Sequence, residues 1–192
     1  MLAGCALAAS AGLNAYIPLL VLAIAGRATD KVDLVRPYGF LGSLGGILII
    51  LGLLTIDLIV DKIPRLDYFN DLVQSIIRPA AGALALMAIT RASSPVNPLV
   101  AMIIGLILGG GVHVYKMLNR PPITEATHGL GNPFVSMIAD ALAAITSILA
   151  VLLPILGAAA VVISAYLLRS TYRAVRRFGG SRLIGRPSTL RR

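Results

Sequence analysis

Two residues of opposite charge stand where a charge is expensive. Arg78 closes the stretch "DKIPRLDYFNDLVQSIIRP" (61–79) and opens an apolar run, and Asp140 lies inside another at 134–153. At the centre of a membrane span each would cost ~2.5–3.5 kcal/mol unless it met water or a partner. Each is therefore a candidate binding or coupling group. An interhelical Arg78–Asp140 ion pair is the structural alternative. Asn14 lies mid-run, four residues before Pro18, whose ring removes the bond back to residue 14 and loosens a helix there. His113 and Lys116 are spaced i,i+3, with Arg120 one turn on. That basic stripe suits a phosphate or carboxylate, or snorkelling at the headgroups. Asn14, Arg78, His113, Lys116 and Asp140 form the candidate substrate-binding set. Asp57 and Asp61 (i,i+4), Lys62, Asp67 and Arg120 are the candidate structural or coupling charges. The chain has no Ser-His-Asp spacing, phosphate loop or HExxH, and His113 and His128 lack a Cys or Glu cluster. No catalytic residue, metal or cofactor is assigned, and the chain is not read as an enzyme.

These side chains sit in a chain that is 57% hydrophobic and only 13% charged. An average soluble domain carries ~25% charged residues, too many for this chain to be one. Apolar runs at about 2–25, 38–60, 98–118, 134–153 and 155–168 approach or reach span length. The fold class is therefore all-α: a polytopic membrane helical bundle of about five to six membrane segments. Residues 1–168 form the transmembrane domain and 169–192 a basic cytoplasmic tail.

The opening stretch is read as special. Tyr68, Phe69, Leu72, Val73, Ile76 and Ile77 alternate at helical period with Asn70, Asp71, Gln74 and Ser75. This predicts an interfacial helix with Asp67 as N-cap and its polar face in water. After Pro79 only about 12 apolar residues remain, ~18 Å of helix, which predicts a broken or re-entrant segment turning inward at Arg78-Pro79. A single kinked span is the alternative. Residues 121–133 read as a loop, and Pro154 as a break. Gly42-xxx-Gly46 and Gly105-xxx-Gly109 predict close helix packing and a homo-oligomer through glycine-rich faces. They also begin an internal repeat, in which Asn70, Val73, Ile76 and Arg78 match Asn132, Val135, Ile138 and Asp140.

Eight of the 17 basic residues lie at 169–192. The excess places the C-terminus in the cytoplasm and predicts anionic membrane lipids as partners. No aromatic platform accompanies the tail, so nucleic acid is not a predicted partner. The single cysteine, Cys5, excludes an internal disulfide.

Several motifs occur in order: "AASAGLNAYIPLL" (8–20), "DKIPRLD" (61–67), "RPAAGAL" (78–84), H-x-x-K-x-x-x-R (113–120) and "GLGNPFVS" followed by Asp140. As a set they resemble the bacterial membrane family catalogued as domain of unknown function 4126, over about residues 3–157. The resemblance implies a multi-pass inner-membrane protein. It supports Asn14, Asp61, Lys62, Pro64, Asp67, Arg78, His113, Lys116, Arg120, Asn132 and Asp140 as a set, without roles.

The functional expectation is a small transporter, flippase or channel-like protein for an anionic lipid headgroup or small anion. Arg78, Lys116 and His113 would attract the cargo, and Asp140 would release or couple it. A non-transporting scaffold or assembly factor is the alternative, and a membrane-embedded enzyme the third reading. The tail assignment is checked by fusing a reporter active only after export behind Arg192. The reporter should stay silent, and activity would place the tail outside.

Overall fold

Proline and glycine decide where the apolar runs break. The computed structural model describes residues 1–29, 32–34, 36–61, 63, 66–93 and 96–184, with side chains for all of these except 66–68, 91–93, 176 and 178–184. Among the described residues there are seven α-helices, one short 3-10 turn and no strand.

The first apolar run is two helices, α1 (Leu2–Ala11) and α2 (Tyr16–Ala28), interrupted at 12–15. Pro18 is the third residue of α2. There its missing N–H is one of the donors that a helix start leaves unbonded anyway. The loosening expected at residue 14 is thus a complete interruption. Next come α3 (Leu44–Val60), capped by the Ser43 hydroxyl accepting from Gly46 N at 3.0 Å, and α4 (Leu66–Ser93). α5 (Pro98–Thr127) follows, then α6 (Gly131–Leu152) and α7 (Pro154–Ile184). The helices containing 69–90, 98–127, 131–152 and 154–175 are long and apolar enough to cross a membrane. α1, α2 and α3 are shorter apolar helices.

Two sequence expectations are corrected here. α4 runs unbroken through Pro79, so no turn or re-entrant segment starts at Arg78-Pro79. A 28-residue helix is ~42 Å long, enough to cross a membrane without help from a second element. The loop expected at 121–133 is mostly helix. α5 continues through Pro121 and Pro122 to Thr127, where His128 (φ 53) and Gly129 (φ 85) form a left-handed cap. The break at Pro154 is present, with Pro154 as the first residue of α7.

The face that was expected to be wet is the buried one. On α4, Asn70, Asp71, Gln74 and Arg78 are buried, while Phe69, Leu72, Val73 and Ile76 are exposed, Ile76 at 78%. This inverts a soluble amphipathic helix: apolar side chains face out and polar ones face the protein. The arrangement suits hydrocarbon surroundings, where polar groups must be satisfied internally.

α1 sits among α4, α5, α6 and α7. Its residues 6–11 are almost fully buried, and all but Leu7 are alanine or serine. Their small size permits the close approach. Gly82 on α4 faces Gly105 and Gly109 on α5, where backbones nearly touch. A Cβ on Gly105 would lie 2.5 Å from Ala83 Cα, and one on Gly109 2.9 Å from Arg78 O. The Gly105-xxx-Gly109 face is therefore occupied within the chain. Gly42 precedes α3, and Gly46 is closed against the Phe40 carbonyl. The two glycine pairs thus do different jobs, and so do Val73 (40% exposed) and Val135 (3%). The correspondences of the expected repeat do not hold at these positions.

Packing at the α4–α5 crossing predicts that Gly105→Ala lowers thermal stability in detergent, by about 1–3 kcal/mol of overpacking. Gly52→Ala on α3, where a Cβ meets nothing within 4 Å, should be neutral or stabilising. Equal effects of the two changes would contradict the crossing.

Candidate functional site

The interruption between α1 and α2 is where the buried polar groups converge. Asn14 holds its two sides together. Its Oδ1 accepts from the backbone N–H of Tyr16 (3.0 Å) and Ile17 (3.2 Å), which caps α2. Its Nδ2 donates to Asp57 Oδ2 and Asp140 Oδ1, both at 3.0 Å. Asp57, at the end of α3, also accepts on Oδ1 from Asn70 Nδ2 (2.9 Å) and Gln74 Nε2 (2.7 Å) of α4. Neutral amides surround this carboxylate, and among the described residues it makes no ion pair.

The carbonyl end of α1 meets cations instead. Gly12 O accepts from Arg78 Nη1 at 3.4 Å, and Leu13 O from Lys116 Nζ at 3.4 Å. Helix carbonyl ends carry partial negative charge, so both contacts have the favourable sign.

Lys116 belongs to a second cluster, built around Asp61 in the α3–α4 connection. Asp61 is 3.4 Å from Lys116 Nζ and 2.7 Å from Arg120 Nη2, and accepts a hydrogen bond from Ser136 of α6. Arg120 Nη1 is also 2.9 Å from Asp71 Oδ2 on α4. One carboxylate therefore ties α5 and α6 to the connection, and Arg120 adds α4. Burial opposes ionisation of Asp61, but Lys116 and Arg120 outweigh it and hold its carboxyl well below the usual carboxylate range.

Arg78 lies between these groups, with a relative exposure of 0%. Its Nη1 also stands 3.3 Å from His113 Nδ1. A guanidinium only donates, so Nδ1 is the acceptor and the His113 ring carries its hydrogen on Nε2. Nε2 stands 3.0 Å from Ser75 Oγ, which donates in turn to Asp71 O at 2.8 Å. Among the described residues, Arg78 Nε and Nη2 have no hydrogen-bond partner. A buried donor left unmade costs about 1–3 kcal/mol, more when charged.

The fold brings together the whole candidate binding set of Asn14, Arg78, His113, Lys116 and Asp140, and joins Asp57, Asp61 and Arg120 to it. Lys62 and the Asp67 side chain lie outside the described residues. The expected direct pair of Arg78 with Asp140 is not formed. Arg78 reaches the α1 carbonyl end and His113, whereas Asp140 is held by Asn14. Sequence reasoning assigned no site role to Asn70, Asp71, Gln74 or Ser136. The first three were legible as one polar helix face but were directed to water. Ser136 lies one turn before Asp140 on α6, a stripe that points inward.

The family profile described as "Domain of unknown function (DUF4126)" matches residues 1–174. The chain belongs to this family. The match runs from the start of α1 through most of α7, so in this DUF4126 member every group of both clusters falls within it. Comparison with curated proteins and with solved structures finds no match to either.

Asp61 is the junction of two cations and a hydroxyl, and this makes a sharp prediction. Asp61→Ala should destabilise by about 3–5 kcal/mol, because Lys116 and Arg120 are left buried without their counter-charge. Removing Arg120 as well should cost less than the sum of the single changes in a thermal double-mutant cycle. Strict additivity would contradict the junction.

Proposed function

We propose that this protein is a small membrane transporter, seen in an occluded conformation, whose substrate is a small anion bound at Arg78. The observation that carries this reading is a pair of nitrogens, Nε and Nη2, unpartnered among the described residues, on a fully buried guanidinium beside a helix interruption. An anion with two acceptor oxygens, or a halide, would satisfy both donors and the charge together. Lys116 stands close by, on the Leu13 carbonyl next to the Gly12 carbonyl that holds Arg78. Interrupted helices with exposed backbone ends are a recurrent way to build ion sites inside membranes. Asn14, capping α2 while holding Asp57 and Asp140, is the hinge at which binding would be felt by α3 and α6. The carboxylates are the coupling groups, since their protonation would change what Asn14 holds. Full burial of Arg78 favours a small anion over a lipid headgroup, and its interior position favours transport over release into the lipid.

One observation supports a non-transporting scaffold instead: Lys116, Arg120, Asp61 and Asp71 are already paired with one another. Concentration-jump electrophysiology on proteoliposomes separates the readings. Chloride, phosphate and acetate are the probes. Transport predicts charge movement with at least one of them in the wild type, reduced at least tenfold in Arg78→Gln and partly retained in Arg78→Lys. Folding of both variants is checked by their melting temperatures. A wild type silent to all three anions, or a current unchanged in a folded Arg78→Gln, would overturn the proposal.

A further inference from the structure

A groove of about 440 Å³ lies between α1, α5, α6 and α7. Its volume falls in the range of small-molecule sites. Leu13, Gly111, Val112, Val161 and Ala165 line it, and Arg169 lines it as well. Its serine and threonine hydroxyls are already engaged, which leaves the hydroxyls of Tyr115 and Tyr166. Ser10 Oγ is bonded to Ala143 O (2.9 Å) and to Ser147 Oγ (2.8 Å), and Thr146 Oγ1 to Ser164 Oγ (3.0 Å). Little hydrogen-bonding capacity faces the groove, so its walls suit hydrocarbon rather than a sugar or a hydrated ion.

The groove also has a direction. Val161 and Ser164 fall near the middle of the apolar segment Pro154–Val175 of α7, and Arg169 lies nearer its end. From Val161 to Arg169 is ~12 Å along the helix. Arg169 is exposed, and exposed Arg173 and Arg177 follow at i+4 and i+8 on the same stripe of α7. An apolar channel that starts at mid-span and ends on a ladder of arginines matches one kind of molecule, an acyl chain attached to a negative headgroup. Gly111 leaves space: a Cβ there would meet nothing within 4 Å.

We infer that this groove is a binding site for one acyl chain of an anionic phospholipid, whose phosphate is held by Arg169. The site is separate from Arg78. It adjoins the Arg78 site through Leu13, whose carbonyl receives Lys116 and whose neighbour Gly12 receives Arg78. Lipid held here would therefore press on the same helix end that carries the buried cations.

The test uses the full chain in detergent with two photoactivatable lipids of identical acyl chain, phosphatidylglycerol and phosphatidylcholine, each with a diazirine midway along the chain. Cross-links from phosphatidylglycerol should map to peptides containing Gly111 and Ala165. They should exceed those from phosphatidylcholine about fivefold, the weight of one basic residue at a lipid surface. Arg169→Gln should abolish that preference while leaving residual labelling of the groove. Gly111→Phe should fill the groove and remove labelling at an unchanged melting temperature, and Ala165→Phe replaces it should that variant fail to fold. Equal labelling by the two lipids in the wild type would mean ordinary surrounding lipid and overturn the site. So would labelling that survives a folded groove-filling variant, or cross-links from groove residues to a second copy of this chain in place of lipid.

Discussion

A charge surrounded by hydrocarbon must find its partner inside the protein, and this requirement organises the chain. Asp57, Asp61, Asp71, Arg78, Lys116, Arg120 and Asp140 are each at most 9% exposed. They come from the end of α3, the α3–α4 connection, α4, α5 and α6, so satisfying them brings those elements to one place. Van der Waals packing then completes the arrangement, through glycine contacts between α4 and α5 and an α1 made almost wholly of small residues. With the polar groups turned inward, apolar side chains cover the outside, as Ile76, Ile155 and Val162 do. The hydrophobic exterior and the charged interior are two results of one constraint.

Within that arrangement the interruption at 12–15 has the central role. A continuous helix through these residues would bond its own carbonyls and leave Arg78 and Lys116 without their α1 acceptors. Interrupted, α1 presents a partly negative carbonyl end to two cations, and α2 starts on an Asn14 that also grips two carboxylates. Charge of each sign thus meets the helix end that suits it. The interior is not fully quenched, because among the described residues two donors of the Arg78 guanidinium find no acceptor. Buried donors of this kind are rare in settled cores, which is why the anion reading starts from them.

Much of the site was legible in the sequence. Polar and ionisable residues inside apolar runs are few, so Arg78, Asp140, Lys116 and Asn14 stand out before any fold is known. Their partners were harder to see. Arg78 and Asp140 have opposite charge and similar depth, which suggests a pair, but sequence position does not reveal that Asn14 and His113 lie nearer. The polar face of 70–78 was visible and its period correct, yet periodicity tells only that a helix has two faces. Which face meets water depends on the surroundings, and in a membrane the answer inverts. Prolines misled for a related reason. Pro79 and the Pro121-Pro122 pair would end most soluble helices. In α4 and α5 neighbouring helices hold the chain in place, and both helices continue.

The central claim is that Arg78 uses its two unbonded nitrogens on a small anion. Anomalous diffraction from crystals grown in bromide tests it most directly. The account predicts a bromide peak within hydrogen-bond distance of Arg78 Nε and Nη2, lost on replacing Arg78 with glutamine. A bromide-free site in which ordered water or a protein oxygen takes both donors would contradict it.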